Sequence, residues 1–239
     1  MNQRMEGITM SQKVKGFWFF GALAGLLMLG MGAKPALADS VTYVMTMGNA
    51  GLTNHGTCCP GPYANVTVTL TSATTATVTI TSLDTGGYTY LLGEVGVNVN
   101  ASSFTAAFGS ASNSLPASAG FSAGTWTDEG SKNMDGFGTF NQVFGGVQFN
   151  NTATSVTITL TNTGGTWSSA GDVLVSGGGV FPAAVHSYAC LNPCTAAEGA
   201  TSTGFATVPE PASIALLGTG MLAIAGAIRR RKKQTVVAQ

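Results

Sequence analysis

Three stretches of the chain alternate aliphatic side chains with threonine, serine or asparagine at a strict period of two. Val66, Val68 and Leu70 are interleaved with Asn65, Thr67 and Thr69; Val78 and Ile80 with Thr77, Thr79 and Thr81; Val156, Ile158 and Leu160 with Ser155, Thr157, Thr159 and Thr161. That period places one set of side chains on each face of an extended chain, so these segments are half-buried β-strands. Ser72, Ala73, Thr74 and Thr75 separate the first two, which is the spacing of a hairpin. Further strands are expected at 41–47, 88–99, 104–108, 140–149, 173–176 and 184–188. Turns rich in Gly and Asn lie between them, as at 84–87 and 162–165, and no helical period runs between residues 39 and 207. The predicted fold class is therefore all-β, a two-sheet antiparallel sandwich or jelly roll over residues 39–194. A β-solenoid would require a repeat of fixed length, and none is visible. The Ser-, Ala- and Gly-rich stretch 110–124 reads as a long loop. Residues 195–207, with Phe205 their only large side chain, read as a flexible stalk.

The two extremities differ from this body. Arg4, Lys13 and Lys15 precede an uncharged run at 16–31, and Pro35 is followed by Ala36-Leu37-Ala38. A basic start, an apolar middle and small residues at Ala36 and Ala38 make a secretory signal peptide over residues 1–38, cleaved after Ala38. At the other end, Val208, Pro209, Glu210 and Pro211 introduce an uncharged run at 212–228, and Arg229, Arg230, Arg231, Lys232 and Lys233 follow it. As a helix that run would span about 25 Å, near the lower limit for a hydrocarbon core of about 30 Å. Pro211 suits a first helical position, where its missing N–H would have no partner anyway. Five consecutive cations stay cytoplasmic, so a transmembrane helix at 212–228 leaves the body on the far side of the membrane.

In this order at the end of a chain, the Val-Pro-Glu-Pro motif, the span and the basic cluster resemble the PEP-CTERM sorting signal of Gram-negative bacteria, over residues 208–233. The resemblance implies handling by an exosortase, a membrane protease-transpeptidase, with processing near the Pro-Glu-Pro stretch. It implies an inner-membrane-anchored precursor with a periplasmic body, which is later placed at the cell surface or in the extracellular matrix. Association with exopolysaccharide and biofilm is implied with it. The same tail is also catalogued as a C-terminal region of ice-binding proteins. Because unlike bodies share such a tail, it implies nothing about what the body does.

Zero formal net charge conceals an uneven distribution, since nine of the ten cations lie outside the body. Between residues 39 and 207 the sole cation is Lys132. The acids there are Asp39, Asp84, Glu94, Asp128, Glu129, Asp135, Asp172 and Glu198, and one cation against these eight leaves minus seven. Such a body is unsuited to nucleic acid or to anionic surfaces.

The four cysteines fall into two groups, Cys58 with Cys59 and Cys190 with Cys194. An even count in an exported chain points to disulfides. The expected pairing joins the early loop to the late one, because a bond between adjacent cysteines strains the backbone. Closing so long a loop would stabilise by about 4–5 kcal/mol in the chain-entropy model. Zinc is the alternative, with His55 three residues before Cys58 and His186 four before Cys190. Asp128 and Asp135, in a Gly-rich stretch, are weak calcium candidates that lack EF-hand spacing.

Nothing specifies a catalytic set or a cofactor. The chain has no His-Glu-x-x-His motif. Glu94, amid Leu91, Leu92, Val95 and Val97, would make a raised-pKa acid if buried and an ordinary surface residue if it faces outward. The expectation is a noncatalytic surface or matrix protein. The alternatives are a carbohydrate-binding module using Tyr88, Tyr90, Trp126 and Trp167, an ice-binding module using the Thr rows, or, as the weakest reading, a secreted hydrolase.

Overall fold

In a computed structural model, residues 39–175 and 180–209 are described. The alternating segments form the strands their period predicts. β3 (Ala64–Ser72) and β4 (Thr75–Ser82) make the expected hairpin, and β10 (Ser155–Asn162) lies on the other side of β4. With β1 (Asp39–Met45) and β7 (Phe104–Ser112) at the edges, they build a five-stranded antiparallel sheet in the order β1-β3-β4-β10-β7. The register aligns the buried set, with Val68 opposite Val78 and Val78 opposite Ile158. It also aligns the hydroxyl set across all five strands, Thr42, Thr67, Thr79, Thr157 and Ser110.

The second sheet contains β2 (Met47–Gly48), β5 (Asp84–Thr85), β6 (Tyr88–Val97), β8 (Thr127–Met134), β9 (Gly138–Gly145), β11 (Ala183–Leu191) and β12 (Ser202–Thr207). Its order is β2-β12-β11-β6-β9-β8, with β5 paired to β6. Both sheets turn an apolar face inward. Val66, Val68, Val78, Ile80, Val156 and Leu160 from one meet Tyr90, Leu92, Val95, Val97 and Val185 from the other in a single core. The two-sheet antiparallel architecture is the one the alternation predicts.

β6 does not alternate, because its second face is covered as well. Two smaller clusters sit on the outside of the seven-stranded sheet. One buries Met134, Phe140, Val143 and Ala184 beneath Phe137, Phe181 and Phe205. The other buries Leu91, Cys190 and Cys194 beneath Leu115, Phe121, Phe149 and Tyr188. A strand covered on both sides reads as a continuous apolar run.

Residues 195–207 are not a stalk. Ser202 to Thr207 pair with β11 along their whole length, and the end of the segment also pairs with β2. The small side chains that suggest a linker answer instead to close packing. A Cβ at Gly204 would lie 2.3 Å from the Leu52 nitrogen and 2.4 Å from Asn49 Oδ1. That same Asn49 oxygen accepts from the backbone N–H groups of Leu52 and Phe205, each at 3.0 Å. The domain therefore runs past residue 194 and through Val208, which is buried.

The stretch 126–136 also differs from expectation, being strand β8 and its turn rather than a Gly-rich loop. In the stretch 110–124, β7 continues to Ser112 before the loop begins. Among the described residues no helix is long and apolar enough to cross a membrane. The signal-peptide and transmembrane expectations at 1–38 and 212–228 lie outside the described residues.

Candidate functional site

The places where function was expected are dispersed over the sandwich. At the start, Asp39 opens β1, opposite Leu70, and its Oδ2 accepts the Ala170 N–H at 2.7 Å. Ala36 and Ala38, the expected cleavage residues, lie outside the described residues. At the end, Thr207 is fully buried and donates its hydroxyl to the Ala183 carbonyl at 2.6 Å. Val208 donates its N–H to the same carbonyl at 3.3 Å. Pro209 is half-buried. Glu210, Pro211 and the basic cluster Arg229 to Lys233 lie outside the described residues.

The cysteines pair locally, Cys58 with Cys59 and Cys190 with Cys194. The expected bonds between the two loops are not formed, and the sheet explains why. Cys59 is buried in the main core, beside Pro60, whose carbonyl accepts the Tyr90 hydroxyl at 2.7 Å on the inner side of β6. Cys190 and Cys194 belong to the outer cluster on the opposite side of the same sheet. A bond between the groups would have to pass through it. Adjacent side chains of an extended chain point apart, but Cys59 has a φ of 62°, and this turn takes the pair out of extended geometry. Cys190 and Cys194, with Cα atoms 5.3 Å apart, close a short loop at the end of β11. With both pairs oxidised, His55 and His186 have no thiolates beside them to share a zinc ion.

Asp128 and Asp135 are not brought together. They sit at the two ends of β8, where Asp128 Oδ1 accepts from the Gly130 N–H at 2.8 Å and from Gln142 Nε2 at 2.7 Å. Among the described residues no group of three or more His, Cys, Asp or Glu is placed to hold a metal ion.

The aromatics considered for sugar binding are mainly structural. Tyr90 is fully buried, Trp126 and Trp167 nearly so, and the Trp167 indole donates to the Asn100 carbonyl at 2.7 Å. Tyr88 is half-buried at the start of β6. A different aromatic row crosses the outside of the seven-stranded sheet. Phe121, Phe149, Tyr188, His186 and Phe205 follow one another with centroids 5.2, 5.6, 4.8 and 4.8 Å apart. Sequence reasoning missed this row because its members come from four separate segments. Only the alternation of His186 and Tyr188 along β11 signals it.

Glu94 lies beside that row, facing outward yet buried. A register shift opposite Gly93 marks a bulge next to it, and Glu94 then pairs with His186. The fold covers it with the β8–β9 hairpin, whose Lys132 places Nζ 2.6 Å from Glu94 Oε1 and 2.5 Å from Glu129 Oε2. Glu94 Oε1 is buried and takes no other polar partner. Burial pushes the Glu94 carboxyl above its ordinary range, and the Lys132 ammonium draws it back only in part. Burial and, after it, the Lys132 charge hold the His186 imidazole below its usual value. Among the described residues Lys132 is the only cation, and it bridges two carboxylates. The arrangement clamps a hairpin to the sheet.

Of all these places, the chain's end is the one that comparison reaches. Residues 207–232 match the family model described as the PEP-CTERM protein-sorting motif. The tail is a PEP-CTERM sorting motif. No curated protein and no solved structure matches the chain. A PEP-CTERM motif implies processing by exosortase and passage through the membrane, toward the cell envelope or surface. Its first matched residue, Thr207, is also the last residue of β12.

Proposed function

We propose that the chain is a noncatalytic surface protein, anchored in the membrane as a precursor, processed by exosortase and then held in exopolysaccharide or biofilm matrix. The PEP-CTERM motif joined directly to the folded sandwich carries this reading. Two further observations support it. The buried acid Glu94 is engaged by Lys132, and the cysteines are oxidised, as suits an exported body.

The test is fractionation of cells with and without exosortase, with mass spectrometry of each fraction. In cells with the enzyme, the matrix should contain protein lacking Arg229 to Lys233. Without the enzyme, the full tail should remain in membranes. An intact basic cluster on all exported material would overturn the sorting reading. Failure of a polysaccharide-degrading enzyme to release the matrix-held form would overturn the exopolysaccharide part alone.

One observation favours a second reading, a binding module for ice or neutral carbohydrate. The hydroxyl rows of the five-stranded sheet are in register, and Thr42 with Thr67 and Thr79 with Thr157 bring their hydroxyls to 3.0 and 3.3 Å. No charged side chain interrupts the rows from Thr42 to Ser110 and from Ser40 through Thr69, Thr77 and Thr159 to Ala107. Thermal hysteresis, or binding on a glycan array, lost on Thr79→Lys would favour this reading.

A further inference from the structure

The chain leaves the sandwich by a short route, Pro209-Glu210-Pro211. The Ala183 carbonyl holds both Thr207 and Val208, so the body grips the chain through residue 208. The uncharged run of the tail begins at Ala212. The connection from Val208 to Ala212 reaches at most about 14 Å even when fully extended. A headgroup layer is about 5–8 Å thick. An anchored precursor must therefore hold this end of the sandwich toward the headgroups, with a gap narrower than a stacked pair of sheets.

That end is apolar. Met47 stands opposite Thr207 in register and is 42% exposed. Val180 is 38% exposed and precedes the 181–183 segment, in which Ala183 receives the outgoing strand. Phe181, half-buried, stacks edge-on against Phe137 at 5.4 Å. The described residues flanking the exit, 46–48, 180–183 and 207–209, carry no charge, although the body as a whole is acidic. Large aliphatic side chains exposed where the chain turns toward lipid are placed to enter an interface.

We propose that the exit end of the sandwich, centred on Met47, Val180 and Phe181, is a lipid-contact surface that rests on the outer headgroup layer in the precursor. The inference rests on the anchored-precursor reading and adds an orientation to it. The body stands end-on, with the Thr rows of the five-stranded sheet away from the bilayer surface.

A photo-crosslinking residue at position 47, 180 or 79 of the full-length chain tests this, in membranes of cells lacking exosortase, where the precursor persists. Each variant is first matched to the parent in thermal melting. Positions 47 and 180 should give phospholipid adducts at least five-fold above position 79. A membrane-bound precursor with equal adducts at all three positions overturns the inference alone. Adducts from 47 and 180 to polypeptide rather than lipid overturn it in favour of a protein partner. Absence of the precursor from membranes overturns the anchored reading and this inference together.

Discussion

At the scale of single residues, the charge economy of the body centres on Lys132. It is 43% exposed along its side chain, while Glu94 is 9% exposed, so the pair is neither a surface contact nor a fully buried one. Replacing Lys132 with Met should cost about 2 kcal/mol at pH 7, between the values for exposed and buried pairs. The loss has a defined pH dependence. The Glu94 carboxyl titrates higher in the folded chain than in the unfolded one, so its contribution is fully present in acid and declines as pH rises through its folded value. Without Lys132 that upward shift grows. Thermal melts of Lys132→Met should therefore approach those of the parent near pH 4 and fall furthest behind at pH 7 and above. A constant gap across that range would show that the ammonium does not compensate the buried carboxylate. The sequence shows Glu94 in apolar company, but its partner comes from a polar hairpin with no periodic signal, and the pairing depends on tertiary structure.

At the scale of elements, legibility follows periodicity. β3, β4 and β10 are plain in the sequence because one face of their sheet meets solvent. β12 is obscure because Gly204 and Ala206 are small for packing reasons, and smallness also marks linkers. Gly204→Val should therefore destabilise the domain by about 3 kcal/mol, lowering its melting temperature by about 10 °C, since the new side chain would meet the Leu52 nitrogen. Indifference to this change would return the segment to a stalk. The cysteines show the same limit. Their number and compartment indicate disulfides, but which sheet face each pair occupies is a property of the assembled second sheet. Lys132 supplies a direct check. Trypsin has no other site in the body, and its cut separates Cys58 and Cys59 from Cys190 and Cys194. Denatured, unreduced protein should fall into two unlinked peptides after digestion. Halves that separate only on reduction would restore the long-range pairing.

At the scale of the whole molecule, a folded sandwich runs directly into a sorting motif. Cleavage after Ala38, as the signal-peptide pattern predicts, should leave Asp39 as the first residue of the exported form, checked by N-terminal sequencing. A start several residues later would remove pairs of β1 with β3 and the Asp39 contact to Ala170. Two hydroxyl rows and a closed core were implicit in one alternation pattern. The outer clusters alone needed three dimensions to be seen, because their aromatics are scattered among turns and short strands.

The shared residue at the junction has a bearing on proteolysis. Since Thr207 and Val208 are stitched to Ala183, a cut at either one demands that the final strand first peel from its neighbour, whereas a cut beyond Pro209 leaves every ladder bond untouched. Liberated molecules should hence retain a stub of the address that sent them out, and trimming that stub further would begin to undo the domain from its own hem.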